Sequence, residues 1–533
     1  MHDALRILPA GTAQGATRRN IMTLLAILPI IIPLTGAAIA MLLRRRFQLQ
    51  AAWAFGTMLT SFAASAYLLW VVWSTGRPVV YQMGRWPAPF GITIAADLLS
   101  AIMAAMVQFV FVFGFLYALG AKDKAVRHST FYPLFLCLVA GLTGGMLTGD
   151  IFNLFVMIEL VVISGTVLTA ISDDRYGPEA AYKYFLISSV ATFCLLFGIG
   201  SLYVSYGTLN MADLAARIAA DPNQTLLPVA IVLLSVTFMI KSAVVPFHFW
   251  QPDFHTASPT PVSAMLSSVV VKIGVYGFLR LTTLLVPQAD WLRALLVVLG
   301  IVGITFGGLG AAGTHNAKRM FAYSTLAQIG FIHVGVGWGT PLSLAAAILF
   351  TFNHALIKST MLMLSGYLAS RAPVKTASFS VIRGTGKYAP LAGVLFFIGG
   401  MALAGIPPTN GFISKLALFQ SGVQAVQGSD FAATATYWVP LLLLGISSII
   451  TLVYVFRALM KIWWEPFAQK SPEEKIKPHG DSLLAPGLLI AVCLVFGIWA
   501  QPLLQLTQDA SAWIRQPQAY VQAVLGREMG WKR

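Results

Sequence analysis

Residues 151–168 read IFNLFVMIELVVISGTVL. A bilayer crossing takes roughly 20 apolar residues, and this run nearly supplies one by itself. Its single charge, Glu159, stands ninth in the run. In a helix it lies about 12 Å from the start, at roughly 1.5 Å per residue. An ionised carboxylate at that depth is costly unless it is paired or hydrated. The stretch therefore reads as a transmembrane helix carrying a functional acid. The bland alternative is a protonated glutamate bonded to a neighbouring helix. Basic residues at similar depth in other segments favour the functional reading.

The rest of the chain has the same character. Hydrophobic residues make up 57% of the 533 residues and charged ones 10%, whereas a soluble domain carries about a quarter of its residues charged. So little charge cannot cover a water-facing surface. The chain reads as an all-α polytopic membrane protein of about fourteen transmembrane helices. Segments near 148–151 and 338–341 nearly touch, which implies tight hairpins. The organisation expected is a tail and three helices over 1–129, repeats over 130–286 and 287–464, and a loop, a last helix and a tail over 465–533.

A net charge of +16 suggests nucleic acid or acidic lipid only superficially. The basic residues gather in alternate loops, among them Arg44, Lys122, Arg127, Lys318, Arg371 and Lys470. That pattern sets orientation: a multi-pass inner-membrane protein with the basic loops cytoplasmic and both termini extracytoplasmic. Nucleic acid is not an expected partner. The first 21 residues are polar and basic; they read as preceding an anchor, not as a removed signal peptide, and Met22 is an alternative start. Cys137, Cys194 and Cys493 lie far apart in apolar runs. They read as core residues without a disulfide or metal role.

Two segments are interrupted. One carries Pro246 and Pro252; the other carries Gly405-Ile-Pro-Pro-Thr-Asn-Gly411. Proline removes a backbone donor, and irregular backbone at membrane depth is tolerated where protein or water surrounds it. Two breaks five segments apart imply two inverted five-helix repeats with helices 7 and 12 broken, and ion sites near the breaks. Ordinary proline kinks are the simpler reading.

Charges cluster at these places. Lys241 precedes the first break in VTFMIKSAVVPFHFW, Lys272 lies mid-span in AMLSSVVVKIGVYGF, and Lys415 follows the second break in GFISKLALF. Lysines near helix ends snorkel to the headgroups, but Lys272 lies too deep for that. Burial disfavours an ammonium and a nearby carboxylate favours it, so a lysine held between the two can change protonation when its partner moves. His354 and Lys358 share a helix face at a spacing of four, and a histidine bridges proton hops near neutral pH. His248, Asp253 and His255 after the first break read as a proton uptake point. Metal-ligand spacing there is poor. The sequence has no P-loop, dinucleotide fingerprint, haem motif or iron–sulfur cysteine set. It reads as a transporter rather than an enzyme, without a cofactor of its own.

The run Lys241-Ser-Ala-Val-Val-Pro-Phe-His-Phe-Trp-Gln-Pro-Asp-Phe-His255, with Ser258-Pro-Thr-Pro-Val-Ser-Ala264 and Val271-Lys-Ile-Gly-Val-Tyr-Gly277, resembles the proton-translocating antiporter-like subunits. These occur in complex I, membrane-bound hydrogenases and Mrp-type sodium/proton antiporters. Asp150-Ile-Phe-Asn-Leu-Phe155 and Ala322-Tyr-Ser-Thr-Leu-Ala-Gln-Ile-Gly330 also fit. The resemblance implies that Glu159 pairs with Lys241, that Lys272 passes the proton onward, that His354 and Lys358 link two half-channels, and that Lys415 ends the file. It is closest to the D-type chain of the Mrp antiporters. It implies related subunits and lipid as partners, and H+ and a monovalent cation, Na+, as the transported ions. A proton-pumping subunit of a complex I-like or hydrogenase assembly is the alternative.

Overall fold

A computed structural model describes residues 23–172, 175–374, 376–427, 431–467, 477 and 480–526. The basic tail over 1–21 and Lys375, Lys470, Lys475, Arg527, Lys532 and Arg533 lie outside the described residues. The charge-poor runs become helices because a chain in lipid has to satisfy its backbone groups internally. Among the described residues, nine helices are long and apolar enough to cross a membrane, or ten if the bent pair Leu484–Ile498 and Gln501–Ile514 forms one span. Four shorter apolar helices, Leu28–Leu42, Phe131–Leu147, Leu227–Lys241 and Pro390–Ala404, coincide with further expected segments. By length and composition the count of fourteen is therefore not reached. Three residues, Thr148–Asp150, join Phe131–Leu147 to Ile151–Ala170, and two, Gly339 and Thr340, join Ala317–Trp338 to Pro341–Arg371.

The helices sort into a core and a surround. Thr260–Leu285 and Pro341–Arg371 are buried throughout their most apolar windows, and Ala317–Trp338 nearly so. Phe47–Thr75, Tyr176–Tyr206 and Tyr437–Trp464 leave most of theirs uncovered. The core helices carry the polar side chains, which lipid would not tolerate. Small residues let them approach. A Cβ on Gly300 would stand 2.7 Å from the Gly330 carbonyl, and one on Gly330 2.5 Å from the Gly300 carbonyl. The helices Asp290–Gly313 and Ala317–Trp338 thus meet backbone to backbone.

Both expected breaks are real. Leu227–Lys241 ends at the lysine, and an irregular stretch with Ala243 at φ 54° leads to the short helix Trp250–Ala257. Pro390–Ala404 ends on Gly405 at φ 84°, and Asn410–Gln427 resumes beyond it. The glycine accepts that left-handed turn without a Cβ penalty.

The sequence reading missed a two-stranded antiparallel hairpin, Val79–Gln82 with Thr93–Ala96, registered Val79 to Ala96 and Gln82 to Thr93. Its second strand runs into the N-cap Asp97, whose carboxylate accepts from Ser100 N at 2.9 Å and receives both Arg280 terminal nitrogens, at 2.7 and 2.6 Å. Arg280 also donates to Tyr276 Oη at 2.9 Å and Ser100 Oγ at 2.6 Å. This satisfied ion pair ties Leu98–Gly120 to the far end of Thr260–Leu285.

Candidate functional site: a file of buried amines and imidazoles

The breaks create the first demand for charge. In an unbroken helix the Ala404 carbonyl would accept from the residue four positions on, but that residue is Pro408, which has no N–H. Lys415 takes its place: Nζ donates to Ala404 O at 2.8 Å and to Ser448 Oγ at 3.0 Å. The same ammonium lies 5.0 Å from the Phe331 ring centroid. Lys415 is thus fixed by the irregular backbone that the sequence predicted, and it reaches a hydroxyl on the helix Phe431–Leu459.

At the first break the arrangement differs. Lys241 is buried and its Nζ has no hydrogen-bond partner among the described residues. It borders a cavity of about 10 Å³ together with Tyr184, Ser188 and Trp250, space for about one water. Glu159 is only half-buried and accepts a hydrogen bond from Thr192 Oγ1 on the helix Tyr176–Tyr206. Ser188 O, at 3.0 Å, is an alternative acceptor for the same single proton. No hydrogen bond or ion pair within 4 Å joins Glu159 to Lys241 among the described residues, although the carboxylate lies near enough to interact electrostatically with the amine. Glu159 turns to Thr192, and Lys241 turns to the small cavity that Ser188 also lines. Packing brings this end of the file close to the next helix. A Cβ on Gly274 would stand 2.2 Å from Ser242 Oγ and 2.5 Å from Phe238 O, so only glycine lets Thr260–Leu285 lie on the break.

At the centre, Lys272 and His354 meet, with Nζ 2.6 Å from Nδ1. Lys272 is fully buried and His354 nearly so, and the histidine's Nε2 has no hydrogen-bond partner among the described residues. His354 lines a second cavity of about 10 Å³ with Gln328, Asn353 and Lys415. The histidine therefore touches the Lys272 amine directly and borders a water-sized space that Lys415 also lines. Lys358, one turn along, does not join this contact. Its Nζ donates to Ser324 Oγ at 2.8 Å and Phe321 O at 3.2 Å.

The three residues after the first break separate. His248 is half-buried, and its ring lies edge-on to Phe306 at 4.7 Å. His255 is buried, and neither ring nitrogen has a hydrogen-bond partner among the described residues. Asp253 pairs with Arg319 at 2.8 Å and Lys183 at 3.4 Å. It lines a cavity of about 770 Å³ with Lys122, Asp123, Lys318 and Arg319. That cavity opens among the basic loops. Among the described residues no His, Cys, Asp and Glu side chains gather into a metal-binding group. The sequence reading passed over Gln328, Asn353 and Ser324, because uncharged polar residues in apolar runs give no depth signal. It also passed over Asp97 and Arg280, which stand near segment ends where snorkelling is the default reading.

A family model described as NADH:quinone oxidoreductase/Mrp antiporter, TM, matches residues 148–437, more than half of the chain. The chain belongs to this family. The family region contains Glu159 and all of the buried lysines and histidines of the file. The chain is 30% identical to the D-type chain of the Na(+)/H(+) antiporter of Alkalihalophilus pseudofirmus over 95% of this chain and all of that protein. It is 29% identical to the same-named chain of Bacillus subtilis over 94% of this chain and 99% of the other. Its fold is similar to a chain of the Mrp complex from Dietzia sp. DQ12-45-1b, at TM-score 0.85 and 27% identity, covering 95% of this chain and all of the other. A chain of an archaeal membrane-bound sulfane sulfur reductase, a respiratory membrane complex, superposes at TM-score 0.84 and 30% identity, covering 94% and 100%. The family membership and the multi-pass membrane fold expected from the sequence are thereby established.

Proposed function

We infer that this chain is the D-type component of a multi-subunit sodium/proton antiporter, and that protons cross it along Glu159, Lys241, Lys272, His354, Lys358 and Lys415. The observation that carries the file is the 2.6 Å contact between Lys272 and His354, with His354 and Lys415 sharing a water-sized cavity. A neutral imidazole accepts at one nitrogen and donates at the other, so it passes a proton between amines on its two sides. Near-complete coverage of proteins named for Na(+)/H(+) antiport supports the ion pair exchanged. Related subunits and membrane lipid are the partners of this reading, and no cofactor is assigned. The repeats 130–286 and 287–464, a place in the inner membrane and extracytoplasmic termini complete it. The basic loops around the 770 Å³ cavity, which Asp253 lines, support a cytoplasmic mouth there.

The comparable likeness to a respiratory complex keeps one other reading: a proton-pumping membrane component powered by redox partners. Purification of the native assembly separates the two. Antiporter subunits co-purifying, with cation-dependent proton movement in vesicles, is the expected result. Iron–sulfur or nickel subunits in the preparation would replace the antiporter reading. The chain expressed alone is expected to give no exchange.

A further inference from the structure

The hydrogen bonds of His354 and Lys415 run to other groups: to Lys272 for the histidine, and to Ala404 O and Ser448 Oγ for the lysine. What joins the two residues is the cavity of about 10 Å³ that both line, room for about one water. A proton that passes through a single water needs donor and acceptor each within hydrogen-bond reach of it. The step therefore depends on how the two helices sit. Lys415 stands on Asn410–Gln427, which the second break separates from Pro390–Ala404, so no continuous helical backbone fixes its place. The anchor is a set of amide bonds beside the cavity. Asn353 Nδ2 donates to Ser414 Oγ at 2.8 Å and to Asn410 O at 3.2 Å, and Asn410 Nδ2 donates back to Asn353 Oδ1 at 3.1 Å. Asn353, Asn410 and Ser414 are all buried. A backbone carbonyl only accepts, so the amide nitrogen of Asn353 has to face Asn410 O, and a flipped amide would set two oxygens together. The direction of the whole set is thus fixed.

We propose that Asn353 is a positioning residue for the step between His354 and Lys415: it clamps the resumed half-helix Asn410–Gln427 against Pro341–Arg371 and so holds the two carriers one water apart. The proposal rests on the proton file inferred above and adds to it a residue that carries no proton. Two features of the geometry point to it. Asn353 immediately precedes His354 and Ser414 immediately precedes Lys415, so the 2.8 Å bond ties together the neighbours of the two carriers. Asn353, His354, Ser414 and Lys415 also line the same small cavity. A misplacement of about 1 Å at such a step is enough to cost a large part of the rate. The competing account is plain helix packing, in which polar side chains bond across helices within a membrane and contribute only stability. On that account a complex that assembles without the amide transports at the wild-type rate.

The test uses the complete complex in inverted vesicles, with rates divided by assembled subunit content. Asn353→Leu removes all three bonds and keeps an apolar side chain in the space. It is expected to lower the maximal rate of cation-driven proton movement about fivefold or more per assembled complex. The half-saturating cation concentration is expected to be no higher than in wild type, because the slowed step moves the proton. A smaller loss per assembled complex, whatever the yield, would leave the amides as packing and overturn the proposal. A raised half-saturating concentration would also overturn it, by placing the defect at the cation. Lys415→Ala and His354→Gln in the same assay separate this claim from the file. If both are slow while Asn353→Leu runs at the wild-type rate, the clamp falls and the file stands; if both run at the wild-type rate, the file falls and the clamp with it. If Asn353→Leu fails to assemble, Ser414→Ala decides, since it deletes one hydroxyl and one of the three bonds: a slowed maximal rate supports the clamp and a wild-type rate overturns it.

Discussion

Replacing His354 by glutamine isolates the step at the centre of the molecule. Glutamine offers a carbonyl oxygen and an amide nitrogen near the positions of the two ring nitrogens, so it can still accept from Lys272. It cannot take up a proton and release it from the other side. The 2.6 Å contact joins two fully enclosed groups. A buried hydrogen bond to a charged group contributes about 1.5–3 kcal/mol. If His354 stabilises the proton in transit by that amount and glutamine does not, the barrier rises by the same amount, and each 1.36 kcal/mol is about tenfold in rate. The expected loss is thus roughly 10- to 150-fold, in a complex that assembles normally. His354→Ala is expected to lose as much rate and also stability, because it leaves the Lys272 amine without its partner. The assay is recovery of a quenched pH dye in inverted vesicles after addition of the cation, at matched subunit content. His354→Gln running within twofold of wild type would refute the reasoning, since a hydrogen-bond spacer would then suffice.

Other consequences follow from the same geometry. Lys241→Arg keeps a positive charge, yet arginine holds its proton at any physiological pH; it is expected to be nearly as inactive as Lys241→Ala in the vesicle assay across pH 7 to 9, and near-normal rates would make Lys241 a fixed counter-charge. Gly274→Ala places a Cβ 2.2 Å from Ser242 Oγ and 2.5 Å from Phe238 O; a loss of about 1–3 kcal/mol from overpacking predicts a lower thermal midpoint and less assembled complex, and an unchanged midpoint would show that the break yields. Asp97→Ala strands Arg280 in the interior, and breaking a buried pair costs about 3–5 kcal/mol; reduced accumulation of folded protein is expected, and wild-type levels would show that water or lipid headgroups replace the carboxylate.

The fold and the file were legible in the sequence to different depths. Charge deep in an apolar run is a strong signal, so Glu159 and Lys272 stood out by position, and His354 stood out through Lys358 one turn along. Prolines betrayed both breaks, and Pro408 even accounts for the bond from Lys415 to Ala404. Partners were less visible. Nothing in the sequence turns Glu159 to Thr192 instead of Lys241, because that choice is made by how Tyr176–Tyr206 packs on Ile151–Ala170. Lys358 appeared to belong with His354 by helical spacing, yet its bonds run to Phe321 and Ser324, more than thirty residues upstream. The hairpin 79–96 and the Asp97–Arg280 pair escaped because short strands and segment-end charges look like ordinary loop chemistry.

Protons are held here to cross the chain on ionisable side chains, and Glu159→Gln addresses that claim most directly. Glutamine keeps the size and the acceptor that Thr192 uses, and it removes only the ability to ionise. Cation-driven proton movement should be measured in inverted vesicles carrying the complete complex, with Glu159→Asp alongside as the conservative variant. At least a tenfold loss is predicted for glutamine at unchanged subunit content, about 1.4 kcal/mol on the barrier, with partial activity for aspartate. A wild-type rate for Glu159→Gln would contradict the claim, because protons would then cross without the acid at the head of the file.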